Sequence, residues 1–311
     1  MRIITSGSRY IDIDAYAGAV AYAELLQAQG EQAEAVSTSA WNESISETVR
    51  SWQAPLKTEY TPSDADTFTL IDVSDPEYFD GFVDLARVDE VIDHHPGFEQ
   101  YWQERISDKA HIEFIGAACT LVYERWVAAG LADKMSETSA KLLVSGILDN
   151  TLNFKAHVTA ERDKVAFKAL VAHANIPDGW TAQYFTECQE AILADAAVSI
   201  RNDSKILTFK TFPRPLSVGQ LVVWDAAEVL RQHQATIEQE LATVKPEWFM
   251  NLVSVDEGSS YFVCKDPGVQ AWVAKLLGVE FEGDVAKADR MWLRKEIIKQ
   301  DLTADEALAQ K

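Results

Sequence analysis

The sequence predicts an α/β protein of two domains, an N-terminal mainly parallel sheet flanked by helices and a smaller mixed α/β domain behind it. Three observations carry that prediction. Short apolar runs alternate with helical patterns through the first 150 residues, as right-handed strand-helix-strand crossovers require. The chain has 311 residues, more than a single core usually fills. Near residues 190–209 the pattern changes from helical to a polar turn and then to a new strand.

The first strand is read at "RIITSG", followed by a helix over "DAYAGAVAYAELLQAQG" (14–30). Two further buried strands follow at "FTLIDVSD" and "VDEVIDHH", each ending in polar residues. "CTLVYERWVAAG" (119–130) and "ETSAKLLVSGILDNTLNF" (137–154) have helical spacing. The boundary falls in "EAILADAAVSIRNDSKILTF", giving domains over 1–192 and 200–311. In the second domain strands are expected at "KILTFKTF", "LSVGQLVVW", "EWFMNLVSVD" and "SSYFVCK", with helices around 226–244 and 268–277. The tail after Leu302 reads as a frayed helix.

Composition narrows the function classes. Twenty-eight basic against 49 acidic side chains leave a net charge of −21, which disfavours duplex nucleic acid and anionic membrane surfaces as partners. No signal-like N-terminus and no run of eighteen apolar residues is present, so a cytoplasmic location is expected. Cys119, Cys188 and Cys264 are far apart and odd in number, and read as reduced core thiols. Trp102, Trp126, Trp248 and Trp292 are expected in cores or at a domain interface, and His111, His157, His173 and His233 in structural roles.

In a parallel sheet, chemistry collects at the carboxyl ends of the strands. The segments at those ends carry Asp12 and Asp14, then Asp72, then Asp93, His94 and His95. Asp12-x-Asp14 in an extended or tight-turn segment would point both carboxylates to one side, although an aspartate before a helix also serves as an N-cap. Asp149 in "SGILDN" lies in an apolar helical pattern, where an unpaired carboxylate is costly to bury. A shared cation pair would satisfy the whole set. Carboxylate oxygens with imidazole suit Mn²⁺ or Mg²⁺, and such sites favour hydrolysis at phosphorus. "GAACT" could offer N–H groups at a helix start to a phosphate, while tight helix packing explains its small residues equally well.

Taken in order, "GSRYIDIDA", "LIDVSD", "VIDHHPG", "GAACTLVYE" and "GILDNTLNFK" resemble the DHH phosphoesterase superfamily, named for the triplet seen here as Asp93-His94-His95. In the second half, "NDSKILTF" and "WLRKEIIKQDL" resemble segments of its manganese-dependent inorganic pyrophosphatases and exopolyphosphatases. The resemblance implies a DHHA2-like second domain with the active site between the domains. It implies hydrolysis of a phosphoanhydride, pyrophosphate or short polyphosphate, by a metal-activated water with two or more divalent cations, Mn or Mg. Asp72 would bridge them, Asp12 would hold one, and Asp14, His94 and Asp149 the other. Catalysis would fall to Asp72, Asp93 and His95, with His95 on the substrate phosphate and Asp93 orienting the histidines. Lys205, Arg294 and Lys295 would clamp the phosphates, and a homodimer is an open expectation.

Three positions depart from the pyrophosphatase pattern: Ser8 replaces a histidine, "VSD" follows Asp72, and Glu296 replaces a lysine beside the clamp. Two further expectations therefore stand beside the first: a phosphodiesterase acting on small nucleotides, and a catalytically weakened sensor that binds a phosphate or nucleotide.

Overall fold

The computed structural model describes residues 1–309, and its backbone divides into two units, Met1–Tyr184 and the chain from Phe185 onward. The first holds strands β1 (Arg2–Thr5), β2 (Ala33–Val36), β3 (Leu56–Lys57), β4 (Thr67–Ile71), β5 (Val88–Asp93) and β6 (Ala110–Ile112). They form one sheet in the order β3-β2-β1-β4-β5-β6, with every pairing parallel. Its helices are α1 (Ile13–Ala28), α2 (Glu47–Ser51), α3 (Glu99–Ile106), α4 (Ala118–Ala128), α5 (Glu137–Asn150) and α6 (Glu161–Ala174), and α7 (Trp180–Leu193) crosses the division. The order in the sheet reverses at β1, where the neighbouring strands β2 and β4 leave in opposite directions along the edge. That reversal places the carboxyl ends of β1 and β4 side by side at a topological switch point.

Helix α1 explains how a carboxylate can be buried there. Its residues from Ile13 to Ala23 are all buried, because alanine and glycine dominate and let other elements approach on every side. A Cβ on Gly18 would lie 2.6 Å from Ile71 Cγ2, so only glycine permits this contact between α1 and the end of β4. Trp102 and Trp126 are buried within this unit. His111 belongs to a different cluster, in which Arg2 and Tyr22 bond the buried Glu90 carboxylate at 2.6 and 2.7 Å.

The second unit contains α8 (Ala196–Asn202), β7 (Ser204–Leu207), β8 (Leu216–Val223), α9 (Ala226–Val244), β9 (Trp248–Ser254), β10 (Ser259–Val263), α10 (Pro267–Leu277), β11 (Phe281–Glu282), β12 (Val285–Ala288) and α11 (Arg294–Ala309). Its sheet runs β11-β12-β10-β9-β8-β7, parallel between β8 and β9 and antiparallel elsewhere, so it is mixed as expected. Two apolar clusters cover its faces, one around Phe249, Phe262 and Trp272, the other around Ile237, Leu241 and Leu252. Trp248 and Trp292 are buried in these cores. All three cysteines are buried. Among the described residues no helix is long and apolar enough to cross a membrane.

Five short strands, β2, β3, β6, β11 and β12, escaped the sequence reading. They span two to four residues each, too few for periodicity to register. The helix that begins at Arg294 extends through Ala309, and the remainder of the tail lies outside the described residues.

Candidate metal centre

Seven residues singled out in the first half of the sequence come together at the carboxyl edge of the parallel sheet. Asp12 follows β1 and caps α1, its Oδ1 accepting the Ala15 N–H at 3.0 Å. Asp14 is the second residue of that helix and is fully buried. Of the alternatives the sequence left, the cap is the one formed: Asp12 is extended, Asp14 is helical, and the turn between them carries both acids to the edge.

Asp14 is held from a second direction. Its Oδ2 and Oδ1 accept the N–H groups of Ala118 and Cys119, each at 2.8 Å, at the start of α4. Three of the "GAACT" amides are therefore engaged by carboxylates, since Gly116 donates to Asp163 Oδ2 at 3.1 Å. Asp163 also accepts from Thr120 Oγ1 and the Ala160 N–H, tying the start of α6 to the same turn. The close fit reaches α5, where a Cβ on Gly146 would sit 2.5 Å from Cys119 Sγ and 3.3 Å from Asp14 Oδ1. Gly146→Ala must push α5 away from Asp14, and the expected cost is about 1–3 kcal/mol of overpacking. Denaturant unfolding checks this, and an unchanged midpoint would refute the close-approach role of Gly146.

Asp72 lies just past β4 with φ 60°, in the left-handed region that aspartate tolerates better than most residues. A non-glycine residue there costs energy and is common where the backbone aims a side chain at a functional site. Its Oδ1 is buried, 3.2 Å from His94 Nε2 and 3.6 Å from His95 Nδ1, yet makes no well-directed hydrogen bond. Asp93 ends β5 and is fully buried. Its Oδ1 collects the His94 N–H at 2.8 Å, the His95 N–H at 3.2 Å and His95 Nδ1 at 2.9 Å. Burial opposes its charge, but the bond to His95 holds its pKa below the usual range.

The two histidines are presented differently. The His94 side chain is 10% exposed and its Nδ1 lies 3.0 Å from the Ile115 carbonyl, so Nδ1 carries the donated proton. Nε2 then points at Asp72 Oδ1 and, 3.8 Å away, Asp14 Oδ2. In metal-free protein these carboxylates draw a second proton onto Nε2; with that proton gone, three acceptors converge with no donor between them, an arrangement a cation satisfies, and the buried Nε2 has no well-directed hydrogen-bond partner. The His95 side chain is 61% exposed and anchored by Asp93. Asp72, His94 and His95 offer ligand atoms within 4.8 Å of one another. These residues fit a hard divalent cation.

The electrostatics agree. Burial raises the pKa values of Asp12, Asp14 and Asp72 to about 6, and repulsion among neighbouring carboxylates adds to it. Asp149, on α5, is pushed up to about 7 by burial, with repulsion from Asp14, although the Tyr184 hydroxyl 3.0 Å from its Oδ1 works the other way. Burial disfavours a charged His94, but Asp72 and Asp14 prevail and push it up to about 10. The cluster therefore carries more negative charge than its own side chains can balance.

Ser8 is exposed, and its backbone N–H is engaged by the Tyr78 carbonyl at 2.7 Å. The remaining three predicted residues belong to the second unit. Lys205 on β7 and Lys295 on α11 are exposed. Arg294 is the first residue of α11 and only 9% exposed, with Nη2 donating to Asp203 Oδ1 at 2.8 Å and also to the Asp203 carbonyl. Glu296 has a local use: its carboxylate accepts the Leu293 N–H at 2.8 Å at the helix start and pairs with Arg290 at 2.8 Å. Its charge is thus partly offset within the unit.

Sequence reasoning missed Ile115, Asp163, Gly146 and Tyr184. Ile115 acts through a carbonyl, which leaves no signature in residue type. The signal for Asp163 was available, an acid three residues after Ala160 at a helix start, but such acids are common.

Residues 2–147 match the DHH family, N-terminal domain. A protein of Lactobacillus delbrueckii subsp. bulgaricus named "Probable manganese-dependent inorganic pyrophosphatase" is 25% identical over 313 residues, covering 96% of each chain. One of the same name from Listeria welshimeri is 26% identical over 239 residues, 74% of each. Among solved structures, a candidate family II inorganic pyrophosphatase of Methanococcus jannaschii shares the fold with a TM-score of 0.64 at 18% identity, covering 97% of this chain and 100% of that one. An exopolyphosphatase-related protein of Bacteroides fragilis gives 0.54 at 13% identity, covering 100% and 94%.

Proposed function

The chain carries a DHH-family N-terminal domain, and on that premise we propose that it is a divalent-metal-dependent hydrolase of phosphoanhydride bonds, acting on pyrophosphate or short-chain polyphosphate. The observation that carries this reading is the convergence of His94 Nε2, Asp72 Oδ1 and Asp14 Oδ2, a place that a proton on Nε2 holds in metal-free protein and a cation can take over. Asp12, Asp14, Asp72, His94 and Asp149 would hold two or more cations, Mn²⁺ or Mg²⁺. When bound, such cations lower the pKa of water and neutralise phosphoryl charge.

The chain's own residues supply the rest. Asp93 fixes His95 through Nδ1, leaving Nε2 as the ring nitrogen to meet a phosphate or leaving oxygen. Ile115 and Asp93 lock the two rings, so neither needs to reorganise as charge develops. Lys205, Arg294 and Lys295 would hold the phosphate oxygens, Arg294 by its planar fork and the lysines as point charges. Domains over 1–192 and 200–311 would divide metal binding from substrate binding.

The test is phosphate release by metal-stripped protein re-supplied with Mn²⁺ or Mg²⁺, offered pyrophosphate, tripolyphosphate, longer polyphosphate and a dinucleotide. The expected result is metal-dependent turnover of an anhydride, with chain-length preference separating pyrophosphate from polyphosphate. Cleavage of the dinucleotide alone, or metal binding without any turnover, would overturn it.

A further inference from the structure

Beside the acidic cluster lies a cleft of about 260 Å³ whose lining does not match a bare polyphosphate. Its walls are the segments that follow β1 and β4. Asp12, Asp72 and His95 form one end, and Ser8, Arg9, Tyr10 and Tyr78 form the rest together with small residues. A polyphosphate running along such a cleft would need cations spaced along its length. Apart from His95, Arg9 is the one basic residue in the lining. What the lining offers instead is aromatic surface: Tyr10 is 54% exposed and Tyr78 40%. The Arg9 guanidinium lies over the Tyr78 ring, 4.7 Å from its centroid, which steadies both side chains.

The walls are built rather than loose. Gly7 bridges Phe79 in antiparallel fashion, and Ser8 donates its N–H to the Tyr78 carbonyl at 2.7 Å. Thr38 bonds the Asp80 carboxylate and Ser39 bonds the Gly7 carbonyl, bracing both segments from behind. A wall braced in this way, with the Tyr78 ring held by Arg9, loses little entropy on binding.

We propose that the cleft takes the base of a nucleoside polyphosphate, stacked against Tyr10 and Tyr78, while its terminal anhydride lies at the acidic cluster. The inference rests on the hydrolase reading above and names its substrate class. In the reaction, the oxygen of water bonds to the terminal phosphorus and the P–O bond to the bridging oxygen breaks. The leaving nucleoside phosphate keeps that oxygen and the electron pair. Orthophosphate forms, and one proton passes to solvent near neutral pH.

The test compares kcat/KM for ATP and tripolyphosphate, which present similar phosphate chains, in the full-length protein with Mn²⁺ or Mg²⁺. Wild type is expected to favour ATP by about tenfold, the scale of one stacked base. Tyr10→Ala is expected to lower kcat/KM for ATP at least about tenfold more than for tripolyphosphate, mainly through KM, and Tyr10→Phe to restore the preference. Tyr78→Leu provides a second reading of the same wall. Equal losses on both substrates, or a wild type that prefers tripolyphosphate, would overturn this inference while leaving the hydrolase reading in place. No turnover of any anhydride would overturn the hydrolase reading and this inference with it.

Discussion

Asp72→Asn is expected to lower phosphate release by at least about 10³-fold, roughly 4 kcal/mol of barrier, while the protein stays folded. Asparagine suits the test because it tolerates the left-handed backbone at φ 60° and nearly preserves shape. What it removes is charge. Asp72 Oδ1 faces both His94 and His95, and its charge is felt by Asp12 and Asp14, so it is the anionic group that links the two histidines to the neighbouring acids. An amide oxygen carries no formal charge and is a poor partner for a second cation. In metal-free protein the same substitution should leave the melting temperature unchanged or raise it, because one of several mutually repelling carboxylates is gone. Phosphate release and thermal unfolding, run on the same preparation, check both halves. Activity within tenfold of wild type would remove Asp72 from the centre of the proposed chemistry.

Metal-free protein should lose stability as pH rises from 5 to 8, and a divalent cation should restore it most at the upper end. Asp12, Asp14 and Asp72 have folded pKa values of about 6 and Asp149 about 7, against 3.8 without the fold. Between these values the folded chain binds more protons than the unfolded one, so its stability falls as pH rises. His94, pushed up to about 10 from 6.5, acts in the same direction above pH 6.5. Asp93 and Glu90, held below the usual range, are ionised in both states across this window and contribute no slope. A cation at a thousandfold excess over its Kd would add about 4 kcal/mol at pH 8, or ~10 °C for a domain of this size. At pH 5 it must displace protons first, and a shift of less than about 3 °C is expected. Melting curves with chelator or Mn²⁺ at pH 5, 6, 7 and 8 decide the matter. Equal metal-induced shifts at pH 5 and 8, or metal-free stability that climbs with pH, would contradict this account of the cluster.

The fold was legible because its main elements announce themselves locally. "RIIT", "TFTLI" and "VDEVID" are apolar runs that form buried parallel strands, and "AAEVLRQHQATIEQELATV" forms a 19-residue helix at the residues its spacing marked. Shorter strands such as β2 and β3 exist because neighbouring strands offer them hydrogen-bonding edges, which no window of four residues can reveal. The acids and histidines at the strand ends were legible too, since charged residues closing apolar runs are conspicuous in type and place.

Residue type and order were enough to name Asp12, Asp14, Asp72, Asp93, His94, His95 and Asp149 as one set. Only the folded chain decided how they are held. Asp14 takes its orientation from amides about a hundred residues away, His94 from the carbonyl of Ile115, and Asp149 has a neighbour in Tyr184. Those partners act through backbone groups or across long separations in the chain. Chemistry is carried by side-chain type and can be read along a sequence, whereas orientation depends on distances that exist only once the chain has closed on itself.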